Sequence, residues 1–216
     1  MRLCYANHGD TFVVKFAPGN ATPAYSTCMG APSVGMGIAI DASGNAYVTG
    51  NTYYHSYFPI TAGAFQFHNE VWPNGTGFVA KLNNTGGLAH STYLSGSDGV
   101  TYPEGIAINR AGEVYVVGQT SSTTFPLAPA ITPNPTAGFV AKLTPQLNGL
   151  DYVTFLGATI LGVAIHQAYS PTRPTYPHVY VGGFRYTGSV SLIAEDAFVS
   201  MLDETPTISV CCAAIP

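Results

Sequence analysis

Apolar residues in this chain alternate with small or polar ones over short runs, and the runs are punctuated by Gly, Asn, Asp and Pro. That is the pattern of short β-strands joined by turns, and no window holds a helical period. Gly37-Ile38-Ala39-Ile40-Asp41 predicts a strand (type A), and Ala46-Tyr47-Val48-Thr49-Gly50 predicts a second (type B). The Asp-x-x-Gly between them supplies the left-handed position of a tight hairpin. Phe78-Val79-Ala80-Lys81-Leu82 predicts a third strand (type C) and Ser91-Thr92-Tyr93-Leu94 a fourth (type D). In strand C, Phe78, Ala80 and Leu82 share one face and Val79 points to the other. A sheet apolar on both faces has to be stacked between two others.

The pattern recurs. Type C strands begin at Phe12, Phe78, Phe139 and Phe198, roughly 60 residues apart, a period longer than that of helical repeats and close to that of propeller blades. Ile106 to Gly118 repeats the A–B hairpin, and Gly162 to Ile165 with Val179 to Gly182 is a degraded third copy. Type D returns at Tyr25 to Gly30 and Tyr152 to Gly157, with a last copy placed at Ile208 to Cys212. The order is C-D, then A-B-C-D twice, then A-B-C and the last D. The expectation is an all-β β-propeller built of four-stranded antiparallel blades, about three and a half to four in this chain. One repeat domain would span 1–216, with a partial blade at 1–30 and blades at 35–96, 103–157 and 161–212. Leu3 to Tyr5 is expected to add a strand to the partial blade.

The combined run GIAIDASGNAYVTGNT, the Phe58-Pro59 and Phe125-Pro126 pairs, GFVAKLN and HSTYLSGS resemble the SBBP (seven-bladed β-propeller) repeat of bacterial and archaeal proteins, over roughly residues 11 to 202. The resemblance implies an exported propeller and brings no catalytic residues with it. It also implies that Phe58 and Phe125 tuck their loops onto the blades. The chain departs from the family name in blade number.

Composition narrows the class. Only 8% of residues are charged, while Gly (24), Pro (16) and Tyr (14) are abundant, which suits a turn-rich β protein rather than a disordered one. A net charge of −4 argues against nucleic acid and anionic membrane surfaces as partners, and no apolar run is long enough to span a bilayer. The first residues lack the apolar core of a secretory signal, so the sequence is expected to be a piece of a longer chain. Low lysine, abundant Thr, Tyr and Gly, and the family likeness place it outside the cell or on its surface. Sequons at Asn20, Asn74 and Asn83 fall in predicted loops and are glycosylation candidates.

Four cysteines, Cys4, Cys28, Cys211 and Cys212, sit only near the two ends. No zinc spacing exists among them. Disulfides from Cys4 or Cys28 to Cys211 or Cys212 would lock the seam of a closed ring, contributing roughly 4–5 kcal/mol in the chain-entropy account. Reduced, buried thiols and linkage between subunits are the alternatives.

Candidate chemistry is sparse. The long B-to-C connection of the first full blade carries Tyr53, Tyr54, His55, Tyr57 and Trp72, an excess of aromatics over its counterpart at 119–137 and the expected binding surface for carbohydrate or protein, against simple packing on the neighbouring blade. Lys15, Lys81 and Lys142 recur at one position of strand C, which predicts polar contacts of Lys81 with Asp41 and Lys142 with Asn109. The insertion 166–178, with His166, Arg173 and His178, reads as a stiff partner-facing loop. Asp10, Asp98 and Asp196 lie in Gly-rich turns, where capping competes with calcium binding. There is no HExxH, GxSxG, Walker loop or GxGxxG. The expected function is a non-enzymatic structural or binding module that displays loops from a rigid scaffold and associates with copies of itself or another extracellular protein, with no cofactor. The enzymatic alternative is a polysaccharide lyase or hydrolase using carboxylates at the propeller mouth.

Overall fold

A computed structural model describes residues 9–19, 21–30, 32–53, 58–68, 75–126, 137–167, 176–186, 195–203 and 209–214. Every regular element among them is a β-strand. The half-blade comprises β1 (Phe12–Phe16) and β2 (Pro23–Cys28), blade 1 comprises β3 (Ser33–Ile40), β4 (Ala46–Thr52), β5 (Thr76–Leu82) and β6 (Leu88–Leu94), and blade 2 comprises β7 (Thr101–Ile108), β8 (Val114–Thr120), β9 (Ala137–Leu143) and β10 (Leu150–Leu156). Blade 3 comprises β11 (Thr159–His166), β12 (His178–Tyr186), β13 (Glu195–Asp203) and β14 (Ser209–Ala214). Each blade is an antiparallel meander in chain order, the predicted A-B-C-D sequence. Leu3 to Tyr5 lie outside the described residues.

The hairpin chemistry works as the sequence dictates. Gly44 and Gly112 adopt φ of 76° and 81° in the two A–B turns, where a β-carbon would be strained. Asp41 Oδ1 accepts the amides of Ser43 and Asn45, both at 2.9 Å, and Asn109 Oδ1 does the same for Ala111 and Glu113 at 3.0 Å.

Two-faced burial follows from strand alternation. Between the half-blade and blade 1, Val13 and Met29 pack on Ala46, Val48, Phe78, Ala80 and Leu82. Between blades 1 and 2, Tyr47 and Val79 meet Ile106, Phe139, Ala141 and Leu143. Between blades 2 and 3, Tyr115 and Val140 meet Ile160, Val179, Val181 and Leu202. The type C strands β5 and β9 therefore each present their valine forward and their phenylalanine, alanine and leucine backward, and the same interface is built twice over.

The type A strands run side by side, β3 against β7 and β7 against β11. A β-carbon on Gly37 would lie 3.2 Å from the Gly105 Cα, and one on Gly105 would lie 3.4 Å from the Gly162 Cα. Glycine suits these positions because a side chain there would crowd the neighbouring type A backbone. All three strands carry a bulge at the same place, where the pairing skips Met36, Glu104 and Leu161. No pairing among the described strands joins β14 to β1 or β2.

Candidate functional site

The aromatic connection after β4 is only partly described. Tyr53 is exposed, and its ring, with that of Tyr102, lies 3.3 Å from where a Gly75 β-carbon would stand. Tyr54, His55, Tyr57 and Trp72 lie outside the described residues. The connection also exposes Phe67, whose ring meets His68 edge-on at 5.2 Å.

The rest of that connection is clamped down. Phe58 is buried against Phe78 at 4.3 Å and Tyr93 at 6.1 Å, and Phe125 is buried against Phe139 at 4.9 Å and Phe155 at 5.9 Å. Ser91 Oγ donates to the Pro59 carbonyl, Ser91 N donates to Thr61 Oγ1 at 2.9 Å, and Gln66 N donates to Thr92 Oγ1 at 2.8 Å. The Ser-Thr of the type D strand thus holds this part of the loop onto the blade, and Tyr53, Phe67 and His68 are exposed beside it.

The recurrent lysine has a further partner besides the expected one. Lys81 stands directly across from Tyr47 in the β4–β5 register and its ammonium lies 4.8 Å from that ring. The Tyr47 hydroxyl in turn donates to Asp41 Oδ2 at 3.4 Å. Lys142 repeats the arrangement over Tyr115 at 5.4 Å and Tyr152 at 6.0 Å, and it bonds Glu113 Oε2 at 3.0 Å, the oxygen that also accepts from Asn109 Nδ2. Cross-strand register places the type B tyrosine directly opposite the lysine, so each lysine makes a cation–π contact there, while the Lys81 charge also acts on Asp41. Partial burial pushes the Asp41 carboxyl up, but hydrogen bonds from Asn45 and Ser43 and the Lys81 charge outweigh it and hold Asp41 below its ordinary range. Burial, the Asp41 charge and the hydrogen bond to Asp41 push the Tyr47 hydroxyl up. Burial alone pushes Tyr93 up to about 12. His90, across from Lys81 on β6, is pushed down by burial and by the lysine.

Asp98 serves as a latch. Its carboxylate accepts from Ser122 Oγ at 2.5 Å, Thr123 N at 2.9 Å, Thr123 Oγ1 at 2.5 Å and Thr124 Oγ1 at 2.8 Å, which holds it far below the usual carboxylate range. Both oxygens are engaged in binding the loop that follows β8. Among the described residues no group of three His, Cys, Asp or Glu side chains converges. Asn83 is exposed, and its side-chain carbonyl anchors the β5–β6 turn through Thr85 N at 3.0 Å and Gly87 N at 2.9 Å. Asn20 and Asn74 lie outside the described residues, as does Cys4. Cys28 is buried at the end of β2, and Cys211 and Cys212 occupy β14 opposite Met201 and Ser200. Arg173 also lies outside the described residues, while His166 and His178 pair at the mouth of the β11–β12 hairpin with rings stacked at 6.3 Å.

Two further surfaces stand out. One is a groove of about 830 Å³ where β2 meets the β5–β6 turn, lined by Tyr25, Thr27, Pro59, Leu82, Thr85 and Leu88. The other is the pair of uncovered end faces. Phe12 on the half-blade is 66% exposed, whereas its equivalents Phe78 and Phe139 are 0% exposed. At the far end Tyr180 and Val199 are 38% and 43% exposed, whereas Tyr47, Tyr115, Val79 and Val140 are all at 0%.

Four-stranded antiparallel sheets stacked face to face, with type A strands side by side, define a propeller-type repeat protein. Two stretches match the SBBP family, described as a beta-propeller repeat: residues 29–53, which take in β3 and β4, and residues 91–126, which take in β7, β8 and the Phe125-Pro126 pair. No curated protein matches the chain.

Proposed function

We propose that this chain is a non-enzymatic, extracellular structural and binding module that associates head to tail with copies of itself and displays rigid loops. The observation that carries the reading is the exposure, at the two ends, of the very residue positions that are buried at both interior junctions. Phe12, Val14 and Phe16 at one end are chemically complementary to Tyr180 and Val199 at the other, because the same classes meet at each blade junction within the chain. Uncovered apolar faces of this kind favour association, and unlike faces favour heterologous contacts that form rings or filaments.

A structural role is also supported along the bulged row of type A strands. Glu104 has a carboxyl pushed up by burial, but its equivalents are Met36 and Leu161, so no second carboxylate stands at the repeat-related positions for acid–base work. Exposed Tyr53, Phe67 and His68 suit a glycan or protein surface. Covalent linkage of Cys28 with Cys4, Cys211 or Cys212 belongs to the same reading. Mass mapping without reductant identifies the joined sulfurs, and four free thiols in the secreted protein would contradict that part of it.

Sedimentation equilibrium over a range of concentrations tests association. The expected result is a weight-average mass that rises with concentration and falls back to that of one chain in Val199→Lys. A single-chain mass at every concentration would overturn it.

A further inference from the structure

We propose that Lys142 and Asn109 join in a self-catalysed amide cross-link between their side chains, with Glu113 carrying the proton. Asn109 directly follows β7, Glu113 directly precedes β8 and Lys142 lies on β9, so the A–B turn and the neighbouring type C strand bring the three together. One oxygen, Glu113 Oε2, accepts from Lys142 Nζ at 3.0 Å and from Asn109 Nδ2 at 2.5 Å. The nucleophile and the group it displaces are thus held on the same carboxylate. Nδ2 also donates to the Tyr115 hydroxyl at 3.3 Å. Asn109 is 7% exposed and the Lys142 side chain 12%, with the rings of Tyr115 and Tyr152 beside the ammonium, which keeps competing water away from the reacting atoms.

The carbonyl to be attacked is already polarised. Asn109 Oδ1 accepts the backbone amides of Ala111 and Glu113, both at 3.0 Å, and that oxygen is where negative charge collects when an amine adds to Cγ. Glu113 takes a proton from the Lys142 ammonium, Nζ forms a bond to Asn109 Cγ, and the Cγ–Nδ2 bond breaks. Nδ2 leaves as ammonium, carrying the proton held by Glu113 and a second one shed by Nζ, so that one amide joins the side chains and Glu113 is returned ionised. Blade 1 is a built-in control. Its equivalents are Lys81, Asp41 and Asn45, where the electrophile is a carboxylate and the amide of Asn45 has no basic oxygen to carry a proton. The cross-link ties the end of β7 to β9 across β8, in the blade that is packed on both faces. It forms once per chain and does not rest on how chains associate.

Intact-mass spectrometry of the reduced full chain, followed by peptide mapping, tests this. The expected result is a mass short of the sequence by one ammonia and a branched peptide joining Asn109 to Lys142. Glu113→Gln keeps the shape of the carboxylate but carries no proton, and it is expected to slow formation of the bond on the order of a hundredfold. Lys142→Arg keeps the charge and is expected to abolish the bond, with circular dichroism matching the parent in both variants. The parent mass decides whether the bond exists even where a variant fails to fold. A folded parent at its full sequence mass would overturn the proposal and leave Lys142 in an ion pair, as would ammonia lost elsewhere, such as at Asn148 before Gly149. A cross-link formed at the parent rate in Glu113→Gln would overturn the role given to Glu113.

Discussion

At the residue scale, the lysine of each type C strand shows how far a linear pattern can be followed. Its recurrence was legible, and so was the inference that scattered solvation would not produce it. Its ring partner was not, since the ring that receives Lys81 is fixed by the β4–β5 register, which pairs Tyr47 with it across the sheet. Lys81→Met is expected to lower stability by about 1 kcal/mol in chemical denaturation, the scale of a partly shielded cation–π contact. Leu147 was wholly illegible. It occupies the left-handed region at φ 56° in the β9–β10 turn, where Gly86 serves in the β5–β6 turn, and its side chain is fully buried with the blade 1–blade 2 core. Its carbonyl also accepts Phe65 N at 2.9 Å. The strain of a non-glycine residue there is offset by core burial, so Leu147→Ala keeps the strain and loses the packing. We expect a loss of about 2–4 kcal/mol by urea denaturation.

At the scale of elements, the four strand types and their order could be read from alternation and turn residues. The bulge could not, because Met36, Glu104 and Leu161 share no chemistry; only the flanking glycines hinted at it. Those glycines make a paired prediction. Gly105→Ala forces a methyl to 3.1 Å from Val117 and 3.4 Å from the Gly162 backbone and should lower the melting temperature, whereas Gly162→Ala, with nothing within 4 Å, should leave it unchanged. Equal effects in the two variants would mean that the type A strands do not meet as described. The β5–β6 pair adds a pH dependence. Because burial and Lys81 depress the His90 pKa in the fold, its contribution is fully present above the unfolded value of about 6.5 and is lost as pH falls through the folded one. Thermal melts from pH 7 to 5 should show that loss, and His90→Gln should flatten it.

At the scale of the whole molecule, the repeat spacing made the propeller class legible and the phase of the repeat made the half-blade legible. The candidate binding loop was legible only as composition. Its anchoring rests on the Ser91, Thr92 and Phe58 contacts, which depend on how the loop folds back on β6. What ties the scales together is that each blade face is specified for another blade, so the end faces retain interior chemistry. A mixing experiment tests this most directly. Phe12→Lys spoils one end face and Val199→Lys the other, and sedimentation equilibrium is run on each variant alone and on an equimolar mixture. The account predicts single chains for each variant alone and dimers only in the mixture, through the one intact pair of faces. Association of either variant alone, or none in the mixture while the unaltered chain assembles, would contradict it.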